Sequence, residues 1–340
     1  MASINNAHLP MLKPHVRSFR PGCCFPVSNC VARVAWKSNP WIRRRYLSNV
    51  KLLKSWDLEE FRDHAFDTAI PAILPASSRD IPAACSKWFL NNDSYETQEL
   101  NEPVPTKLNE VFWRSYTRCI VPLEITTTTS GIEPTTTFER VDAPLEYLLR
   151  SMEPRVETNE SSQSIYLAQH DLRDLPQALQ DDLPTPNLVL HAGKGDIYSS
   201  SLWLGRSPTY TPLHKDPNPN LFMQLAGGKA IRLFRPEVGL AIFELVQKVL
   251  RRADANGTAS DRASFAALRG EEMMQGSERT VLHDLVWSGR ADTTFNGTIL
   301  THAYDAKLGP GDALFIPKGW WHSVKGLGEG LTASANWWFR

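Results

Sequence analysis

The chain has no aspartate or glutamate before Asp57, although over its full 340 residues it carries 37 acidic and 37 basic side chains. The same stretch, residues 1–56, holds ten basic residues, including Arg43, Arg44 and Arg45. The remaining 284 residues hold 27 basic and 37 acidic side chains, a net charge of −10. Formal neutrality is therefore a cancellation between a basic leader and an acidic body. An acid-free, arginine-bearing leader has the composition of a mitochondrial transit peptide, because the membrane potential pulls positive charge inward and a carboxylate would oppose it. Residues 43–48 resemble a matrix-protease cleavage region. The triple arginine alone would equally fit a nuclear signal, and a basic tail is the bland reading. Acid exclusion along the whole leader favours the organelle. An acidic body disfavours a nucleic-acid partner and favours a protein or small-molecule substrate.

Cysteine is scarce as well. Three of the five, Cys23, Cys24 and Cys30, lie in the leader without the paired spacing of a zinc site. Cys85 and Cys119 are too few to build a disulfide scaffold. No uncharged apolar run approaches the roughly 20 residues that a membrane-spanning helix needs. There is no internal repeat. With 42% apolar and 22% charged residues, the composition excludes a chain disordered throughout.

The body divides by texture. Residues 57–164 mix helical and strand patterns. A helix is predicted over 57–70, capped by Ser55, with Asp57, Glu59 and Glu60 at its positive end and Leu58, Phe61 and Ala65 at helical spacing. A short strand at 70–74, a helix near 83–90, a β-rich stretch over 118–125, threonine-rich edges and a loop to 137, and a helix over 144–152 complete this region. From 165 to 340 short β segments alternate with Pro, Gly and Asn. They are expected at 165–169, 188–191, 200–204, 221–225, 230–234, 298–301, 313–316 and 331–339. One helical insertion, near 237–290, interrupts them. Val238, Ile242, Leu245, Val246 and Val249 form its apolar stripe, followed by a polar loop at 253–264 and a helix near 265–274. Such a pattern predicts a mainly β fold with flanking helices, closed or sandwiched.

The chemistry concentrates in two segments. In Thr211-Pro212-Leu213-His214-Lys215-Asp216, His214 and Asp216 are two apart, so on a strand they share a face while Lys215 points away. An imidazole and a carboxylate so placed can fill adjacent corners of one metal's coordination shell. A His-x-Asp tripeptide alone is common, and a third ligand must come from elsewhere. The best candidate is His322, after the turn, strand and two tryptophans of Gly311-Asp312-Ala313-Leu314-Phe315-Ile316-Pro317-Lys318-Gly319-Trp320-Trp321. Read alone, it would pass for an interior histidine beside bulky aromatics. Two histidines and a carboxylate on a β scaffold make a facial triad, with three octahedral positions open, suited to Fe(II). Lys229 falls on one face with Ile231 and Leu233, where an ammonium is costly unless an anion meets it. The alternative is that it snorkels to solvent.

Residues 165–340 resemble a JmjC domain of the cupin-like group, similar to the small JmjC hydroxylases that act on proteins or on tRNA. The blocks that carry the resemblance are Tyr166-Leu167-Ala168-Gln169-His170, Leu202-Trp203-Leu204-Gly205, His214 onward to Lys229, Gly311 to His322, and Ala335-Asn336-Trp337-Trp338-Phe339. Residues 57–164 resemble the elements preceding the barrel only loosely. The resemblance implies a double-stranded β-helix, a jelly-roll or cupin barrel, dependent on Fe(II), 2-oxoglutarate and O2. It implies His214, Asp216 and His322 as iron ligands, and Lys229 as the partner of the distal carboxylate of 2-oxoglutarate. It adds Thr211 and Tyr166 as hydroxyls on that carboxylate, Asn220 and Asn336 as polar residues of the cosubstrate pocket, and Trp338 as an aromatic near the active site.

Hydroxylation is expected over lysine demethylation, since the family's demethylases often carry glutamate at the position of Asp216 and no histone-reading module is visible. The competing classes are a non-catalytic JmjC interaction module, an oxygenase acting on tRNA or histone methyl-lysine, and a cupin isomerase or storage protein that would not need Lys229. His64, His170, His191, His283 and His302 have no ligand-spaced partners. Lys215, unusual in the middle position, is expected to touch substrate or an acidic neighbour. The insertion is expected to contribute to substrate recognition.

Overall fold

Alternation along the strands decides the architecture. In a computed structural model that describes residues 47–91, 106–129, 136–152, 161–255, 276–287 and 300–340, the chain is mainly β. The first strands are β1 (Leu47–Asn49), β2 (Lys51–Leu52), β3 (Ala72–Leu74), β4 (Phe89–Asn91) and β5 (Thr106–Leu108). β6 (Ile120–Thr129), β7 (Thr136–Pro144), β8 (Ser161–Asp171), β9 (Ile197–Arg206) and β10 (Tyr210–Lys215) follow. The last are β11 (Asn220–Ala226), β12 (Gly228–Phe234), β13 (Ala303–Leu308), β14 (Ala313–Ile316), β15 (Trp321–Leu327) and β16 (Leu331–Phe339). One sheet runs β1-β13-β12-β15-β10, and a larger one runs β2-β3-β14-β11-β16-β9-β8-β6-β7. From β10 to β16 the chain passes back and forth between the two sheets, consistent with a jelly roll.

Each face has its own partner. Phe222, Ile231, Leu233, Ala306, Leu308, Leu314, Ile316 and Val324 fill the space between the sheets. The alternate residues Leu221, Met223 and Leu225 of β11, and Ala333, Ala335, Trp337 and Phe339 of β16, pack outward against the helical N-terminal region, through Phe61, Trp88, Trp113 and Leu148. On the far side, Leu213, Phe234 and Trp321 of the smaller sheet meet Ile242, Val246, Leu282 and Val286 of the inserted helices Pro236–Ala255 and Gly276–Trp287. Each fully buried aliphatic or aromatic side chain contributes about 1.5–3 kcal/mol. A Cβ on Gly239 would lie 2.1 Å from the Trp321 ring, so only a residue without a side chain lets the first inserted helix approach this closely.

Several sequence expectations change. The cap of the first helix is Asp57, whose carboxylate accepts from the Glu60 N–H at 2.8 Å, whereas the Ser55 hydroxyl bonds the Glu60 side chain. That helix, Leu58–Phe61, widens into a π-helical turn, Arg62–Phe66, and stops before 70. Residues 188–191 are not a strand but lie in the helix Asn187–His191. Leu188 and Val189 are both buried there while Leu190 is exposed, a neighbour-pair pattern that a two-residue period cannot give. Of the strand expected at 298–301, residues 298 and 299 fall outside the described residues and Leu300 and Thr301 are helical; the strand that follows is Ala303–Leu308. Charged residues along β13 masked its alternation. The first inserted helix runs to Ala255, past the expected start of the polar loop. The helix expected at 265–274 falls outside the described residues.

Candidate metal centre

A break in regularity builds the site. β10 pairs with β15 through Thr211 opposite Val324 and His214 opposite His322, with a register shift between them. Pro212 and Leu213 thus share one partner position, Ser323, which is a β-bulge. In an unbroken strand, residues three apart point to opposite faces. The extra residue turns Thr211 and His214 to the same face, while Leu213 points into the outer cluster. Proline suits this place because it has no N–H to leave unpaired. Asp216 follows the end of β10, so it is the turn toward β11, not strand alternation, that carries its carboxylate to the histidines.

The three donor groups converge. Nε2 of His214, Nε2 of His322 and the Asp216 carboxylate lie within 4.8 Å of one another. His214 Nε2 is 4.0 Å from Asp216 Oδ1, and His322 Nε2 is 3.7 Å from Oδ2. Each ring is oriented from behind: His214 Nδ1 lies 2.8 Å from the Pro212 carbonyl, and His322 Nδ1 lies 3.4 Å from that of Trp320. A carbonyl can only accept, so Nδ1 carries the proton and Nε2 keeps the lone pair a metal needs. Burial, reinforced by the neighbouring His214, pushes the His322 imidazole down to about 4, which keeps it neutral at ordinary pH. Asn220 donates to Asp216 Oδ2 at 2.8 Å, leaving Oδ1 as the freer ligand atom.

The triad opens into a cleft of roughly 390 Å³, mouth included, also lined by Tyr166, Thr211, Asn220, Lys229, Asn336 and Trp338. All nine residues singled out from the sequence therefore meet in one place. Lys229 is 3% exposed and donates to Ser334 Oγ at 2.7 Å and to the Tyr166 hydroxyl at 3.3 Å. It does not snorkel. Among the described residues no carboxylate forms an ion pair with it, and burial pushes its ammonium down to about 7. The Trp203 indole donates to Asn336 Oδ1 at 2.6 Å, which fixes the amide and leaves Asn336 Nδ2 buried without a partner among the described residues. Trp338 Nε1 is in the same position. One unpaired ammonium and two orphaned donors suit an anionic, oxygen-rich guest beside a cation, so the residues fit Fe(II) with a dicarboxylate.

Two contributors were not expected from the sequence. Ser334, the Lys229 partner, lies two residues before Asn336 on the same strand face, and alternation along β16 was the available signal. Trp203 stands in the Leu202-Trp203-Leu204-Gly205 stretch, but its role depends on contact across β9 and β16. Lys215 lies 5.5 Å over the Trp321 ring on the outer face, so its observed neighbour is an aromatic rather than an acidic residue. Tyr166 has its ring against Gly205, where a Cβ would come within 2.1 Å.

Comparison with known proteins agrees with this geometry. A family profile for the cupin-like domain matches residues 28–340. The chain is 30% identical over 186 residues to Lysine-specific demethylase JMJ30 of Arabidopsis thaliana, covering 54% of this chain and 36% of that one. Over 207 residues it is 30% identical to JmjC domain-containing protein F of Dictyostelium discoideum, covering 57% and 40%. Its likeness to Jumonji C domain-containing protein 5 of Drosophila melanogaster is 24% over 340 residues, 99% of this chain and 65% of that one. The chain thus spans between 36% and 65% of the length of these relatives. The chain belongs to the cupin-like JmjC family, whose members generally use Fe(II) and 2-oxoglutarate.

Proposed function

We propose that the protein is a dioxygenase dependent on Fe(II) and 2-oxoglutarate that hydroxylates a protein side chain or a small molecule, delivered to the mitochondrion by its basic leader. The observation that carries this reading is one cleft holding three convergent metal-ligand side chains and a buried lysine that has no carboxylate partner among the described residues. When bound, Fe(II) with 2-oxoglutarate and dioxygen supplies the oxidation of a substrate C–H bond, the cosubstrate leaving as succinate and carbon dioxide.

The chain's own part is placement. His214, Asp216 and His322 would hold the ion, and their single negative charge would leave the site net positive toward an anion. Lys229, with the hydroxyls of Tyr166 and Thr211, receives the far carboxylate, and the free N–H groups of Asn336 and Trp338 offer further donors in the cleft. Asn220 holds Asp216 in its ligating rotamer. Phe222 and Val324 present apolar walls that limit water. No side chain is required as general acid or base.

A second reading, demethylation of methyl-lysine, is favoured by relatives named lysine-specific demethylases. Hydroxylation of an N-methyl carbon releases formaldehyde, so the same site would serve. The test is conversion of 2-oxoglutarate to succinate by the Fe(II)-loaded protein with candidate substrates. Turnover should vanish in Asp216→Ala and persist in His302→Ala, whose parent side chain is exposed. Equal loss in both would sink the assignment of the site, and no turnover by the unaltered chain across candidate substrates would favour the non-catalytic module. Formaldehyde release separates demethylation from hydroxylation, and a pull-down with His214→Ala from mitochondrial extract searches for the substrate.

A further inference from the structure

The bulge that brings Thr211 and His214 into the cleft has a support on its outer side. At a bulge the ladder lacks backbone partners, so two carbonyls need other donors. The Pro212 carbonyl is taken by His214 Nδ1. The Thr211 carbonyl accepts from Ser323 Oγ at 2.8 Å, and Ser323 Oγ in turn accepts from the Trp287 indole N–H at 2.9 Å. Ser323 is fully buried, sits directly after His322 and faces the bulge across the strand pair.

Trp287 is the last residue of the second inserted helix, and that end is clamped to the sheet. The Arg232 guanidinium lies 4.8 Å over the Trp287 ring and donates to the Val286 carbonyl. Asp305 grips the same guanidinium through Nε at 2.7 Å and Nη2 at 3.0 Å. Leu282 and Val286 anchor the helix in the outer cluster. The insertion therefore reaches the back of the site at a defined atom.

We propose that Trp287 is a positioning residue of the candidate metal site: through Ser323 it holds the Thr211 carbonyl, and so fixes the bulge that turns Thr211 and His214 inward. This rests on the reading of the cleft as a metal and 2-oxoglutarate site. It assigns the insertion a role in assembling the site, beside the substrate recognition expected of it from the sequence.

The test uses the full chain with Trp287→Phe, which keeps the ring under Arg232 and removes the N–H, with Ser323→Ala, and with both together. Leu282→Ala serves as the comparison, because it weakens the packing of the same helix on the outer cluster but removes none of the relay's hydrogen bonds. Mn(II) affinity is read by paramagnetic resonance, 2-oxoglutarate affinity by calorimetry on the Mn(II)-loaded protein, and amide exchange of residues 210–215 on the ligand-free protein. Trp287→Phe should weaken both affinities about tenfold, the lower end of the effect of residues supporting ligands from behind. It should also speed exchange across the bulge. The double variant should be no weaker than Ser323→Ala, since the two act in series. Leu282→Ala keeps the Trp287–Ser323–Thr211 hydrogen bonds and should lower the melting temperature while weakening both affinities clearly less than Trp287→Phe does. Trp287→Phe behaving like the unaltered chain, Leu282→Ala matching its affinity losses, or independent addition of the two relay effects would overturn the proposal. Failure of the unaltered chain to bind Mn(II) or 2-oxoglutarate would instead overturn the reading of the site. Bulge exchange would still show whether the relay holds the strand.

Discussion

Lys229 illustrates what one residue can reveal and what it must cost. Its ammonium is held by two hydroxyls inside a strand face shared with Ile231 and Leu233, and burial brings it to about 7 from 10.5. Between those values the unfolded chain binds the proton and the folded, ligand-free protein does not. Stability of the ligand-free protein should therefore rise with pH from about 7 to about 10.5. Below about 7 both states are protonated and the full penalty of a buried charge remains. Lys229→Met should remove that slope in denaturant titrations. A bound dicarboxylate restores the ammonium, so above pH ~7 binding takes up a proton and 2-oxoglutarate affinity should fall about tenfold per pH unit. Calorimetry in buffers of different ionisation enthalpy measures the proton directly, and pH-independent affinity would exclude the pairing. This residue was legible because a cation in an apolar alternation demands an explanation. Ser334 was not, because a serine on a strand demands none.

At the scale of elements, the spacing that exposed the site was legible for a different reason than it first suggests. His214 and Asp216 do serve together, yet Asp216 is beyond β10 and the bulge at Pro212 and Leu213 does the reorienting. Bulges leave little trace in a hydrophobic pattern, since one extra residue only looks like a short strand. The helix Asn187–His191 was misread for the same reason: four apolar-rich residues are too few to distinguish periods of two and 3.6. Strands β11, β14 and β16 were legible because short segments rich in Leu, Phe, Trp and Ala are bounded there by Pro and Gly. Contact between elements was not. Nothing local marks Gly239 as the place where the inserted helix meets Trp321, though a Cβ there would stand 2.1 Å from the ring. Gly239→Ala should therefore destabilise by about 1–3 kcal/mol, as overpacking does, despite the better helix propensity of alanine. Chemical denaturation gives the sign: a net gain would mean that the helix end and Trp321 can separate freely. The loss should be smaller in the Trp321→Ala background, where the clash has no partner.

Across the whole molecule, the asymmetry of charge describes composition, whereas the sheets respond to burial, and the two divide the chain at different points. Residues 47–52 lie within the acid-free stretch, yet β1 pairs in parallel with β13 and β2 with β3, so this short segment bridges both sheets. Val50 and Leu53 are buried at 6% and 2% exposure, while Lys51 and Lys54 face solvent. Exposed lysines on an edge segment read as leader because charge counting does not see which side chains turn inward. A removable leader consistent with this packing ends before Leu47, which leaves eight basic and no acidic residues in 1–46. A chain beginning at Asp57 should be less stable than one beginning at Leu47 by about 3–6 kcal/mol, from two buried side chains, and thermal or denaturant unfolding of the two checks it. Residues 1–46 fused to a fluorescent reporter should reach mitochondria, and dissipating the membrane potential should stop them, because the potential acts on the uncompensated positive charge. Replacing Arg43, Arg44 and Arg45 by glutamate should abolish delivery by introducing the sign that the segment excludes. Nuclear accumulation of the unaltered fusion would give the triple arginine to the competing reading, and would move the search for a substrate from the organelle to the nucleus.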